Sequence, residues 1–155
     1  MTPEEKARQK IDQWFSDAGW KVVDRDEYEP TCTAVAIREG LLKGNLEADY
    51  FLFINGKAVG VLEAKREETD AFSDKVCNQA VLYARNVPKI YQTYQKPLPF
   101  IFTSNGKDLY FCDFRKQDSC FNQIMTIPTP YELVKLLGIN DYFAGLPTLR
   151  KKRIT

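Results

Sequence analysis

Asp49, Glu63 and Lys65 are the residues of this chain best placed to do chemistry, a carboxylate followed fourteen residues later by Glu-Ala-Lys. They sit in or beside the apolar runs Ala48 to Ile54 and Ala58 to Leu62, where hydrocarbon side chains would cost less. A buried, unpaired carboxylate costs several kcal/mol, so such charges persist chiefly when paired or bound to a metal. On an extended chain Glu63 and Lys65 point to one face, with the carbonyl of Ala64 between them. Asp49, Glu63 and the Ala64 carbonyl are hard oxygen ligands of the kind Mg²⁺ takes, and Mg²⁺ keeps water in its other positions and can also accept a phosphate. Lys65 would orient an attacking water or offset developing negative charge. The pattern suits metal-assisted hydrolysis of a phosphodiester. The bland alternative is a strand-end ion pair with Asp49 marking a turn, and the bare spacing does not decide between them.

What is missing narrows the chemistry further. The 155 residues include no histidine, which removes Ser-His-Asp and Cys-His catalysis, His-ligated zinc and a histidine base within this chain. Cys32, Cys77, Cys112 and Cys120 show no CxxC spacing and read as reduced thiols. With 22 basic and 21 acidic residues the net charge is +1, so no broad basic field is available to grip nucleic acid. Arg150 to Arg153 form a basic cluster that reads as a linker, with phosphate contact as the alternative. Met1 to Lys10 is polar and no apolar run nears the ~20 residues that span a bilayer, so a cytoplasmic chain with no membrane partner is expected.

These residues need a scaffold. Thr2 and Pro3 open a helix in which Ala7, Ile11, Trp14, Phe15 and Ala18 recur at helical spacing until Gly19. Trp20 to Val23 reads as a short strand and Asp24 to Gly44 as loop. The two apolar runs around Asn55-Gly56 form a hairpin of strands buried on both faces. An uninterrupted two-residue turn would pair Ile54 with Lys57 and Asp49 with Leu62, leaving Asp49 and Glu63 on opposite faces. A shared metal therefore requires a bulge or odd-length loop, expected near Asn55 to Lys57.

Thr69 or Asp70 caps a second helix with Phe72, Val76, Ala80, Tyr83 and Val87 on one stripe before Pro88. Gln79 and Tyr83, four apart, lie close enough to that stripe to reach the same site. Pro99 to Ser104 and Lys107 to Cys112 flank an Asn105-Gly106 turn, and Tyr131 to Leu137 forms a last short helix. The order implies one α/β domain with a mixed central β-sheet flanked by helices on both sides.

Glu47-Ala48-Asp49-Tyr50, Val61-Leu62-Glu63-Ala64-Lys65-Arg66, Gln79 and Tyr83 followed by Ala84, and Phe100 to Gly106 occur in this order behind a helix that ends in Ala18-Gly19-Trp20. Together they resemble the N-terminal nuclease domain of the restriction subunit of type I restriction enzymes, of the PD-(D/E)XK class, over about residues 4 to 112. Ala48 stands where the class name has proline. The resemblance implies a restriction-endonuclease-like fold and Mg²⁺-dependent cleavage of double-stranded DNA. It implies that Asp49, Glu63 and Lys65 are catalytic, that Gln79 and Tyr83 support substrate binding, and that a first-helix glutamate, Glu5 rather than Glu4, joins them. Specificity and modification subunits are the implied partners. No GxxxxGK[ST] loop is present, so ATP belongs to a motor outside this sequence. Residues 1–130 are then the nuclease domain, and 131–155 a C-terminal helix and basic linker toward the translocase. The alternatives are another nuclease of this fold, such as a repair nuclease or junction resolvase, and an inactive DNA-binding or docking module.

Overall fold

The first helix, α1 (Pro3–Asp17), starts where the Thr2 hydroxyl accepts the Glu5 N–H at 3.1 Å, and Pro3 has no N–H to leave unpaired in the first turn. Ala7, Ile11 and Phe15 are its buried stripe, as their spacing implies. The computed structural model describes residues 1–29, 33–41 and 47–138. Along them run β1 (Lys21–Asp24), a 3-10 turn (Arg25–Glu27), β2 (Ala34–Leu41), β3 (Glu47–Ile54), β4 (Lys57–Ala64), α2 (Asp74–Arg85), β5 (Gln92–Thr93), β6 (Phe100–Ser104), β7 (Leu109–Asp113), β8 (Asn122–Ile124) and α3 (Pro130–Leu137).

The strands form one eight-stranded sheet in the order β1-β2-β3-β4-β6-β7-β8, with β5 pairing to β4. β1 is parallel to β2, and β4 to both β5 and β6; the other neighbours are antiparallel. α2 makes the crossover between parallel β4 and β6, which a hairpin cannot do. α1 and α3 pack on one face, where Ile11, Phe15, Leu133 and Val134 meet Tyr50, Leu52, Leu62 and Phe102. α2 covers the other, where Ala80, Tyr83 and Ala84 meet Phe51, Phe53, Val61 and Ile101. The expected mixed α/β sheet between helices is the observed architecture.

Three local expectations are corrected. The stretch read as loop contains β2, whose apolar run Ala34 to Ile37 is too short to stand out and is fixed by pairing with β3 and β1. α2 begins at Asp74 with Ser73 as its cap, because Asp70 and Thr69 are used earlier: Asp70 accepts the Phe72 N–H at 2.9 Å, and the Thr69 carbonyl accepts from Asn105 Nδ2 at 2.9 Å. Phe72 therefore lies outside the helix, exposed and stacked on Tyr110. The second Asn-Gly turn is also longer than two residues, since Ser104 pairs with Leu109. Asn105 Oδ1 accepts the N–H groups of Lys107 and Asp108, which organises the loop.

α3 forms as expected, capped by Thr129, closed by Gly138 at a φ of +72° and seated on the α1 side. Among the described residues, Cys77, Cys112 and Cys120 are free thiols. Cys32 and Arg150 to Arg153 lie outside the described residues. No described helix is long and apolar enough to cross a membrane.

Candidate active site

A single extra residue in β4 brings the two carboxylates together. The Asn55-Gly56 turn keeps its two-residue form, pairing Ile54 with Lys57 and Phe53 with Ala58. Leu52, however, pairs with Gly60, so β4 carries one residue more than β3 across this step, and Tyr50 then faces Leu62. The next step of that register sets Asp49 opposite Glu63. The expected irregularity exists, but at Val59 and Gly60 rather than at Asn55 to Lys57, because the Asn-Gly turn closes the hairpin without strain in its two-residue form. Beyond the bulge Val61 faces α2 and Leu62 faces α1, and on β3 Phe51 and Tyr50 divide in the same way. Asp49 and Glu63 therefore share the α2 face.

At this end of the sheet Asp49 accepts the main-chain N–H of Ala64 on Oδ2 at 2.7 Å, and the Arg8 guanidinium of α1 donates to Oδ1. The Glu63 side chain is 4% exposed, and its Oε2 has no hydrogen-bond partner. Lys65 Nζ is 3.9 Å from that oxygen, an ion-pair distance on the face expected for residues two apart. Burial, hydrogen-bonding contact with Asp49 and the Asp49 charge push the Glu63 carboxyl up to about 9, against the favourable effects of Lys65 and the Tyr83 hydroxyl. Adjacent carboxylates in buried ground, one oxygen unpartnered, form a donor set that a small divalent cation would satisfy. Among the described residues no group of three or more His, Cys, Asp or Glu side chains is arranged to hold a metal ion.

α2 supplies the far wall. Gln79 Nε2 donates to Tyr83 Oη at 3.0 Å, and Tyr83 is buried beside Glu63. Burial and the Glu63 charge raise the Tyr83 phenol to about 12 despite the Gln79 contact. The Gln79–Tyr83 pair thus reaches the carboxylates, as its spacing on the stripe suggests.

Glu5 is brought to the same region, lining with Arg8, Asp12, Arg38 and Asp49 a cleft of about 460 Å³. Glu4 is not among the residues that line this cleft. Sequence reasoning missed Arg8 and the network behind it, in which Asp12 accepts from Tyr50 Oη at 2.6 Å and from Arg38 at 2.9 Å. The only signal was the spacing of Glu5, Arg8 and Asp12 along one polar stripe of α1, which does not say what the stripe faces. Asn105 was also missed: buried, it donates to the Glu67 and Thr69 carbonyls and so pins the loop that follows Lys65.

A family model described as the N terminus of the type I restriction enzyme R protein matches residues 35–119, more than half of the chain. The chain belongs to this family. The span shared with the R-protein N-terminal family holds Asp49, Glu63, Lys65, Gln79, Tyr83 and Asn105, while α1 lies before it. Among solved structures, the fragment structure of a putative HsdR subunit of a type I restriction enzyme from Vibrio vulnificus YJ016 is 23% identical with a TM-score of 0.60. That match covers 91% of this chain and 27% of the other, so the R-protein N-terminal chain spans about a quarter of the fragment and shares its fold. The type IIG restriction endonuclease BpuSI is 20% identical over 71% of this chain and 11% of that one, with a TM-score of 0.48. No curated protein matches the sequence.

Proposed function

We propose that this chain is a Mg²⁺-dependent endonuclease domain that hydrolyses DNA phosphodiester bonds as part of a type I restriction enzyme R subunit. Residues 1–130 would be the nuclease unit, and 131–155 would lead toward an ATP-driven translocase. Double-stranded DNA is the proposed substrate, and the specificity and modification subunits are the proposed partners. The observation that carries this reading is the β4 bulge, which turns Asp49 and Glu63 to one face and leaves Glu63 Oε2 buried without a hydrogen bond.

Asp49, Glu63 and the Ala64 carbonyl would hold the cation. When bound, it supplies Lewis acidity and offsets negative charge on the phosphate. Lys65 orients the attacking water and stabilises charge that develops on the phosphate oxygens. Because Tyr83 Oη accepts from Gln79, its own O–H is left for Glu63, and this chain fixes the Glu63 carboxylate toward the site. Glu5 stands across the cleft, on the α1 side of Asp49.

The test is a matched assay of strand breaks and ATP turnover in the intact restriction complex. Glu63→Ala, Asp49→Ala and Lys65→Ala should each abolish cleavage while ATP turnover continues, since no phosphate-binding loop is present here. Cleavage surviving in Glu63→Ala would overturn the assignment. Equal calorimetric heats for Mn²⁺ with the parent chain and Asp49→Ala would favour a docking module without catalysis.

A further inference from the structure

The chain leaves β4 at Lys65, and the end of β6 holds it there. Ala64 is the last residue of β4 and pairs with Ser104, whose carbonyl then accepts the Lys65 N–H at 2.8 Å. Beyond that bond the crossover to α2 is gripped by side chains. Asn105 Nδ2 donates to the carbonyls of Glu67 at 3.2 Å and Thr69 at 2.9 Å, and Thr103 Oγ1 donates to that of Ala71 at 2.7 Å, so alternate carbonyls are held in turn. Asn105 Oδ1 meanwhile accepts from Lys107 and Asp108, which leaves the buried amide with both hydrogens and both lone pairs in use. A carboxylate could only accept. The turn is also backed from behind. Gly106 follows at a φ of +82°, so close to α1 that a Cβ there would stand 2.9 Å from Ala7 Cα.

We infer that Asn105 is a positioning residue for Lys65: its amide clamps the segment leaving β4 so that the lysine amine stays beside Glu63. The inference rests on the reading of Lys65 as the group that orients the attacking water. The Lys65 side chain is 31% exposed and its Nζ stands 3.9 Å from Glu63 Oε2, too far for a hydrogen bond to fix it. A flexible four-carbon stem held so loosely goes where its backbone aims it. Asp49 and Glu63, by contrast, lie within β3 and β4, upstream of the segment that Asn105 grips. Losing the two donor bonds therefore slows the chemical step and leaves the carboxylates in place.

The experiment compares Asn105→Asp with the parent, Lys65→Ala and Asp49→Ala in the intact restriction complex, following strand breaks under single-turnover conditions together with ATP turnover. Mn²⁺ calorimetry and melts in EDTA are run on the full chain carrying the same substitutions, with Asp49→Ala marking the heat that belongs to the site. Aspartate still accepts from Lys107 and Asp108, so it preserves the turn and removes only the donors to Glu67 and Thr69. Cleavage should slow by about tenfold or more, the scale of a displaced reacting group, while Mn²⁺ affinity stays within about twofold and ATP turnover is unchanged. If Asn105→Asp fails to fold, Asn105→Ser, neutral and still able to accept in the turn, takes its place under the same criteria. Cleavage at the parent rate in the variant, with Lys65→Ala inactive, would overturn the inference and leave the role of Lys65 standing. A loss of Mn²⁺ binding that matches the loss of cleavage would also refute it, since Asn105 would then be a strut of the whole sheet end. Cleavage that survives in Lys65→Ala would sink the reading of Lys65, and this inference with it.

Discussion

Glu63→Gln should make the chain more stable at alkaline pH when divalent ions are removed. The substitution keeps the size and shape of the side chain and deletes only its capacity to ionise. In the folded chain the Glu63 carboxyl is pushed from 4.5 up to about 9, chiefly by burial and then by Asp49. A carboxyl whose folded value lies above its unfolded value retains its proton in the folded state while the unfolded chain releases it. Its stabilising contribution is complete below about pH 4.5 and is lost as pH rises toward 9. The slope is about 1.4 kcal/mol per pH unit, and at 4% exposure the side chain has little solvent to screen it. Between about pH 5.5 and 8.5 the variant should gain up to about 4 kcal/mol on the parent, on the order of 10 °C in melting temperature. Thermal and urea unfolding in EDTA across that range, parent against variant, is the assay, since every other titrating group is common to both chains. Stability curves that run parallel with pH would refute the account of Glu63 as a buried carboxyl crowded by Asp49.

Further outcomes follow from the same geometry. Gly60→Ala at the bulge should cost roughly 2–3 kcal/mol or more, because its Cβ would lie 2.6 Å from the Phe100 carbonyl oxygen, a main-chain atom that cannot rotate away; denaturant unfolding within ~0.5 kcal/mol of the parent would contradict the close approach of β4 to β6. Gln79→Ala should reduce cleavage by the intact enzyme while changing stability by no more than about 1 kcal/mol, since it removes one half-buried hydrogen bond to Tyr83; parallel losses of stability and cleavage would make the pair a packing feature.

Much of this molecule was legible in one dimension because its determinants are local. The Thr2 cap, the helical spacing of Ala7, Ile11 and Phe15, the Asn55-Gly56 turn and the short helix α3 are each satisfied within a few residues, and each forms where its pattern lies. The residue types of the candidate site were equally plain, because Asp49, Glu63 and Lys65 are charges where an apolar core would cost less. Even the need for a broken hairpin register followed from alternation along a strand. Its place did not: the Asn-Gly turn keeps its two-residue form and says nothing of where further along the strands a residue is inserted, and the bulge falls at Val59 and Gly60, where β4 must also meet Phe100 of β6. β2 escaped detection for the same reason, being a short apolar run completed by its neighbours β1 and β3. Arg8, Asp12 and Asn105 are ordinary polar residues in sequence, and only the docking of α1 and the 105–108 turn against the sheet end gives them Asp49, Tyr50 and the loop after Lys65 as partners. Local hydrogen bonds and side-chain periodicity are written in neighbouring residues, whereas Arg8 meets Asp49 across forty-one positions, a contact that exists only once the sheet has formed.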